Sequence, residues 1–284
     1  MKKIVVLGCA GMAGHIVTGY LSQKSEYEVH GIARSEGENV SHVLDVVDFP
    51  RLKEVVETIN PDYIINCVGA LVSKSANDIC TAIQINSYLP HYLVMIGEEL
   101  GFKLVHISTD CVFSGSSGGY RENSFRDGDD NYARTKALGE VINTKDLTIR
   151  TSIIGPELKS NGTGLLDWFL KQSGDINGYT NAFWSGVTTL ELAKAMHEFI
   201  KQDIRGLFQL CPDEKISKYD LLNNFSDVWN DSIIINKDAS YSVDKSLIST
   251  RDDFNYQVPG YDVMLKELYD WMEEHSDSYK HYLN

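Results

Sequence analysis

The stretch "VVLGCAGMAGH", residues 5–15, most constrains what this chain can fold into: an apolar run ends in Gly8, Gly11 and Gly14, and an amphipathic segment begins among them. Glycine is needed where a backbone turns tightly, where another group must approach the main chain, and where a helix packs close on a strand. All three demands meet in a strand-to-helix turn. The first N–H groups of such a helix lack intrahelical partners and favour an anion in front of them. The GxxGxxG spacing therefore predicts a βα unit whose turn cradles a phosphate group.

The next 140 residues repeat that unit. Short apolar runs, "KIVVLG", "YEVHGIA", "HVLDV", "DYIINCVG", "KLVHIST" and "LTIRTSI", alternate with amphipathic stretches. The runs are continuous rather than alternating in polarity, as expected of strands buried on both faces of a parallel sheet. This predicts an α/β chain, a Rossmann-type doubly wound parallel sheet followed by a smaller mixed α/β C-terminal substrate lobe. The nucleotide-binding domain is expected over 1–152 with a returning helix near 188–202, and the second lobe over 153–187 and 203–284. The short strand "GLFQL" is assigned to that lobe, Trp168, Trp184 and the Tyr-rich tail to its core, and the acids of the tail from Trp271 to a solvated helix end.

Bulk properties narrow the function. A net charge of −14 disfavours nucleic acid and anionic membrane as partners while allowing a local positive site for a small anion. The five cysteines are scattered with no CxxC spacing, and the eight histidines show no metal-ligand spacing, so no metal is expected. The apolar run after Lys2 and Lys3 is too short for a signal segment or a membrane span, and a cytoplasmic location follows as the expectation.

Two further clusters carry chemistry. "KLVHISTDCVFSG" sets Ser108, Thr109 and Asp110 at the C-terminal end of a buried strand, where open α/β sheets place ligands. In "DDNYARTKALGE", Tyr132 and Lys136 stand four apart and share one helix face. An ammonium near a phenol favours the phenolate, so Lys136 is expected to lower the pKa of Tyr132. At the end of the second strand, "EVHGIARSEG" has Arg34 where an acid would bind a ribose 2′-OH, which points to a 2′-phosphate and hence to NADP. NAD, with Glu36 reaching the ribose, is the alternative. Asp45 closes the third strand as a partner for an adenine amine or as a helix N-cap.

Together Gly8, Gly11 and Gly14, "NCVGA" at 66–70, "STDCVFSG" at 108–115 and "YARTK" at 132–136 resemble the extended short-chain dehydrogenase/reductases, and within them the dTDP-4-dehydrorhamnose reductase group. The likeness is dense in the first half and thin in the second. It implies catalytic roles for Thr109, Tyr132 and Lys136, with Asn86 of "QINSYLP" supporting them. It implies cofactor contacts from Gly8, Gly11, Met12, Gly14, Arg34, Asp45, Val46, Cys67, Val68, Gly69, Asn86, Ser108, Tyr132 and Lys136, and substrate contacts from Thr109, Asp110, Tyr132 and Trp184 in "TNAFWSGVTT". The implied activity is NADPH-dependent reduction of a 4-keto group on a nucleotide-activated deoxysugar, for polysaccharide, O-antigen or capsule synthesis. A nucleotide-sugar epimerase and a non-catalytic NADP-binding regulatory subunit are the alternatives, and a homodimer is an assembly the resemblance allows. Thr109 is followed by Asp110 and Cys111, whereas dehydratases of this kind usually carry Asp and Glu there.

Overall fold

Seven strands form one parallel sheet in the computed structural model, which describes residues 1–229 and 232–282. The first half runs β1 (Lys2–Leu7), α1 (Met12–Ser22), β2 (Tyr27–Ala33), β3 (His42–Val43), α2 (Phe49–Ile59), β4 (Tyr63–Asn66), α3 (Val72–Asn77), α4 (Ile79–Ala82), α5 (Leu89–Leu100), β5 (Lys103–Thr109), α6 (Asn131–Leu138) and β6 (Leu147–Thr151). The second half adds β7 (Ile153–Ile154), α7 (Leu165–Leu170), β8 (Asp175–Trp184), β9 (Val187–Thr188), α8 (Thr189–Gln202), β10 (Gly206–Gln209), β11 (Ile216–Ser217), α9 (Lys218–Trp229), β12 (Ile234–Asp244) and α10 (Tyr261–Glu274).

β1 shows why apolar runs read as doubly covered strands. Ile4 and Val6 enter one apolar cluster and Val5 and Leu7 the other, all fully buried, because successive side chains point to opposite faces. Each such side chain contributes about 1.5–3 kcal/mol on burial. Local signals close the helices between strands. The Asp48 carboxylate accepts from the Arg51 N–H at 3.2 Å to cap α2, Pro50 lies in its first turn, and Asn60 ends it in the left-handed region at φ 51°.

The strand order is β10-β6-β5-β4-β1-β2-β3. It reverses between β1 and β4, so the crevice beyond their C-terminal ends is the switch point where such sheets take ligands. β10 departs from expectation: it is the edge strand of this sheet, parallel to β6 with Phe208 opposite Ile149, rather than part of the second lobe. The reason is the preceding helix. α8 packs along α1 and returns the chain to β6, whose backbone would otherwise be an unpaired edge.

A smaller sheet, β11-β8-β12, is backed by α9, and β7 pairs with β9. Ile4 and Ala13 share one apolar cluster with Phe225 and Trp271, so the core continues beneath both sheets. The tail meets both expectations, its acids exposed and its tyrosines packed. Tyr279 is 1% exposed and its hydroxyl is hydrogen-bonded to His15 Nε2 at 2.8 Å, while the Tyr282 hydroxyl donates to Asp167 at 3.0 Å. Aromatic side chains interspersed among the acids fold the tail back onto α1 and α7; residues 283 and 284 lie outside the described residues. Trp168, assigned to the core, is instead 40% exposed. Among the described residues no helix is long and apolar enough to cross a membrane.

Candidate active site

The glycine turn has the geometry its spacing predicts. Gly8 lies in the left-handed region at φ 78°, and a Cβ there would meet the Val68 side chain at 3.0 Å. A Cβ on Gly14 would stand 2.1 Å from the Gly8 carbonyl oxygen, so only glycine lets α1 pack this close to the turn. Gly11 caps α1 without a side-chain acceptor, which leaves the helix's first N–H groups to a ligand. Gly→Ala inside a helix normally stabilises a protein, but here the sign reverses. Gly14→Ala is expected to cost about 1–3 kcal/mol through overpacking, read as a lowered Tm; an unchanged or raised Tm would contradict this packing.

At the end of β5, Thr109 donates to the Asp110 carboxylate at 3.2 Å and accepts from the Cys111 N–H at 3.1 Å. α6 stands over this strand end. Asp130 starts it by accepting from the Ala133 N–H at 2.8 Å, and Lys136, 3% exposed, ties it to the sheet by donating to the Ile107 carbonyl at 2.7 Å. Asn86 lies in a π-helical turn, Ile83–Tyr88, that joins α4 to α5. Its amide accepts from Ala70 N–H at 2.8 Å and donates to the Ala70 carbonyl at 2.9 Å and to the Thr135 hydroxyl at 3.1 Å. Asn86 thus links the loop after β4 to the helix that carries Tyr132 and Lys136. A Cβ on Gly139 would fall 1.8 Å from the Asn86 carbonyl oxygen, so the end of α6 also depends on a glycine.

The electrostatics correct one expectation. Burial raises the Tyr132 pKa above its ordinary value and Thr109, close enough to act as a hydrogen-bond partner, opposes this only in part. The Lys136 ammonium is engaged by the Ile107 carbonyl, and burial pushes its own pKa down to about 8. The phenol therefore remains an acid at neutral pH, able to donate, and Thr109 offers a second hydroxyl beside it. Asp110 is buried as well; desolvation raises its pKa while Lys245 and Lys218 oppose the rise.

Beneath the strand end lies a network that spacing did not reveal. Arg150 makes two bonds to Glu140, at 2.8 and 2.7 Å, and the same carboxylate accepts from Ser108 at 2.7 Å and Arg126 at 3.0 Å. Burial works to raise the Glu140 pKa, but the bonds and charge of Arg150, with Ser108 and Arg126, outweigh it and hold the carboxyl below its usual value. Ser108 therefore supports the floor of the site from below.

The other expected residues fall as follows. Arg34 follows β2, exposed, with no hydrogen bond or ion pair among the described residues. Asp45 is exposed and accepts from the Val47 N–H at 3.2 Å, whereas the cap of α2 is Asp48. Val46 is buried; Cys67, its thiol pushed up to about 12 by burial, lies with Val68 and Gly69 in the turn after β4. Trp184 is the last residue of β8, 4% exposed, with its ring 5.7 Å from Tyr261 and the Lys218 ammonium 4.7 Å above it. Lys218 and Lys245 escaped sequence reasoning because they reach Asp110 from distant segments. Among the described residues no cluster of His, Cys, Asp or Glu is placed to hold a metal ion.

A sheet that reverses beside a glycine-lined turn, with Thr109 ending β5 and Tyr132 and Lys136 on the next helix, defines an extended short-chain dehydrogenase/reductase. Within that class the chain belongs to the RmlD substrate binding domain family, whose profile matches residues 1–237. It is 27% identical over 202 residues to the Bacillus subtilis spore coat polysaccharide biosynthesis protein SpsK, spanning 69% of each chain. It is 26% identical over 158 residues to dTDP-4-dehydrorhamnose reductase of Aggregatibacter actinomycetemcomitans, spanning 54% of this chain and 51% of that protein, about half its length. A solved structure of a hypothetical dTDP-4-dehydrorhamnose reductase from Sulfolobus tokodaii superposes with TM-score 0.75 at 25% identity, over 91% of this chain and 98% of that one.

Proposed function

We propose that this protein is an NADPH-dependent ketoreductase that converts a 4-keto group on a nucleotide-activated deoxysugar to a hydroxyl, in the synthesis of a polysaccharide. The observation that carries the reading is the meeting of Thr109, Tyr132 and Lys136 at the end of β5, beside the glycine cradle. Gly8, Gly11, Met12 and Gly14 would hold the cofactor's pyrophosphate, Arg34 its 2′-phosphate, Asp45 and Val46 its adenine end, and Cys67, Val68, Gly69, Asn86 and Ser108 would complete the wall. The fit rests on the left-handed Gly8 and on the space that a Cβ at Gly14 would fill. When bound, the cofactor supplies hydride to the carbonyl carbon.

The chain's own groups act on the carbonyl oxygen. Thr109 Oγ1 donates a hydrogen bond to it where negative charge develops, and Tyr132 Oη delivers the proton. Lys136, held by the Ile107 carbonyl and charged below pH of about 8, would hold the cofactor ribose. Reduction is favoured over dehydration because Cys111 stands where dehydration needs a second carboxylate. Absorbance-monitored NADPH oxidation with a panel of dTDP- and UDP-linked 4-keto-6-deoxysugars tests the reading. Tight NADPH binding with no oxidation across the panel would overturn it in favour of a binding subunit.

Cofactor choice has a separate test. Arg34→Ala is expected to lower kcat/KM for NADPH by about 10- to 100-fold, the loss of a charge-assisted contact to phosphate, and to leave NADH almost unchanged. Equal losses with both cofactors would remove Arg34 from the 2′-phosphate.

A further inference from the structure

A buried carboxylate and a half-buried ammonium face the end of β5 without pairing. Asp110 is 4% exposed, and its carboxylate accepts from Thr109 but forms no ion pair among the described residues. Lys218, the first residue of α9, comes from the smaller sheet's side. β11 pairs antiparallel with the end of β8, setting Ile216 opposite Trp184 and Ser217 opposite Phe183, and this delivers the Lys218 ammonium to 4.7 Å above the Trp184 ring. Among the described residues it makes no hydrogen bond and no ion pair. Asp110 and Lys218 nonetheless lie within each other's field.

A buried carboxylate without a cationic partner is costly unless a ligand completes it, and the half-buried ammonium is placed to share that ligand. An ammonium can only donate and a carboxylate can only accept. A hydroxyl does both, so one sugar hydroxyl can accept from Lys218 and donate to Asp110. An apolar substituent would leave the buried carboxylate unsatisfied, the form of discrimination a buried polar group provides. Trp184 beneath the ammonium holds it in place and offers an apolar floor.

We propose that Lys218 and Asp110 are a donor–acceptor pair that grips a non-reacting hydroxyl of the sugar beside the reacting carbonyl, making Lys218 a specificity-determining residue of the substrate site. This rests on the reading of the site as a nucleotide-sugar ketoreductase.

The experiment compares wild type with Lys218→Met, Lys218→Arg, Asp110→Asn and the Lys218→Met/Asp110→Asn double variant, using dTDP-4-dehydrorhamnose as substrate and fluorescence titration of NADPH as the check on folding. Lys218→Met is expected to raise the sugar-nucleotide KM by about 10- to 100-fold, the loss of hydrogen bonds to a charged group. The kcat and the NADPH Kd should stay near wild type. Lys218→Arg should recover most of the affinity, and the double variant should be no worse than the poorer single one, because the two groups share one ligand atom. Burial pushes Lys218 down to about 8, with Asp110 and Cys111 the charged and titratable groups acting on it. The wild-type KM should therefore climb above that pH, and the Lys218→Arg KM should not. A Lys218→Met KM equal to wild type, or fully additive losses in the double variant, would overturn the proposal.

Failure of the underlying reading is distinguishable. If wild type binds NADPH but turns over no 4-keto sugar, calorimetric titration with dTDP-glucose still reads the pair. Weaker binding to Lys218→Met than to wild type supports it, equal binding overturns it, and no binding to wild type overturns both.

Discussion

Tyr132→Phe is expected to bind NADPH as tightly as the parent while kcat falls by about 10²- to 10⁴-fold, the usual contribution of a positioned proton donor. Only the hydroxyl is lost, and the ring keeps its place on α6, so the variant should melt close to wild type. The elevated phenol pKa adds a second signature. Tyr132 stays protonated through the neutral range, and Lys136 loses its charge first as the medium becomes alkaline. The parent's reducing rate should then be flat through neutrality and decline above a pH of about 8. Stopped-flow turnover and a pH profile of both proteins check the two statements. Residual activity above about a tenth of wild type would remove Tyr132 from the acid role.

The largest stability effect is expected beneath the site. Arg150 is 1% exposed and Glu140 equally buried, so Arg150→Met leaves a carboxylate in the core with only Ser108 and the half-exposed Arg126. Breaking one side of such a pair costs about 3–5 kcal/mol, which in a chain of this size lowers Tm on the order of 10 °C. Because the carboxyl's folded pKa is depressed, the stability it contributes is present above the ordinary carboxylate range and is lost as pH falls through the folded value. The pH dependence of the melt should therefore flatten on the acid side in Glu140→Gln. The double change Arg150→Met/Glu140→Leu should recover much of the loss, since it removes both charges. A single Arg150→Met variant that melts with wild type would show that the ion pair carries no net stability.

How legible each feature was depends on how local it is. The βα alternation and the glycine turn are written in windows of about ten residues, and Gly14 against Gly8 involves neighbours six apart, so spacing alone gave the turn. Tyr132 and Lys136 share a face by helical geometry. By contrast, β10 is a four-residue apolar run that would suit either sheet, and only the path of α8 along α1 decides which one it joins. The tyrosines of the tail announce packing but not onto what, because their partners His15 and Asp167 lie far away in sequence. Nothing in their spacing pairs Arg150 with Glu140, and only the fold sets the two face to face. Lys136 was expected to act on Tyr132 through their spacing, yet its nearest acceptor is the Ile107 carbonyl of the neighbouring strand.

The bond between His15 and Tyr279 joins residues 264 positions apart, and His15 also bonds the Gly11 carbonyl in the glycine turn at 2.9 Å. During synthesis, β1 and α1 leave the ribosome first of the two partners, and at about 5–20 residues per second the other follows much later. Over that interval the turn has its glycines but lacks its clasp. The nascent β1–α1 unit should therefore be a weak, readily exchanging nucleotide binder that tightens only after the far segment has docked.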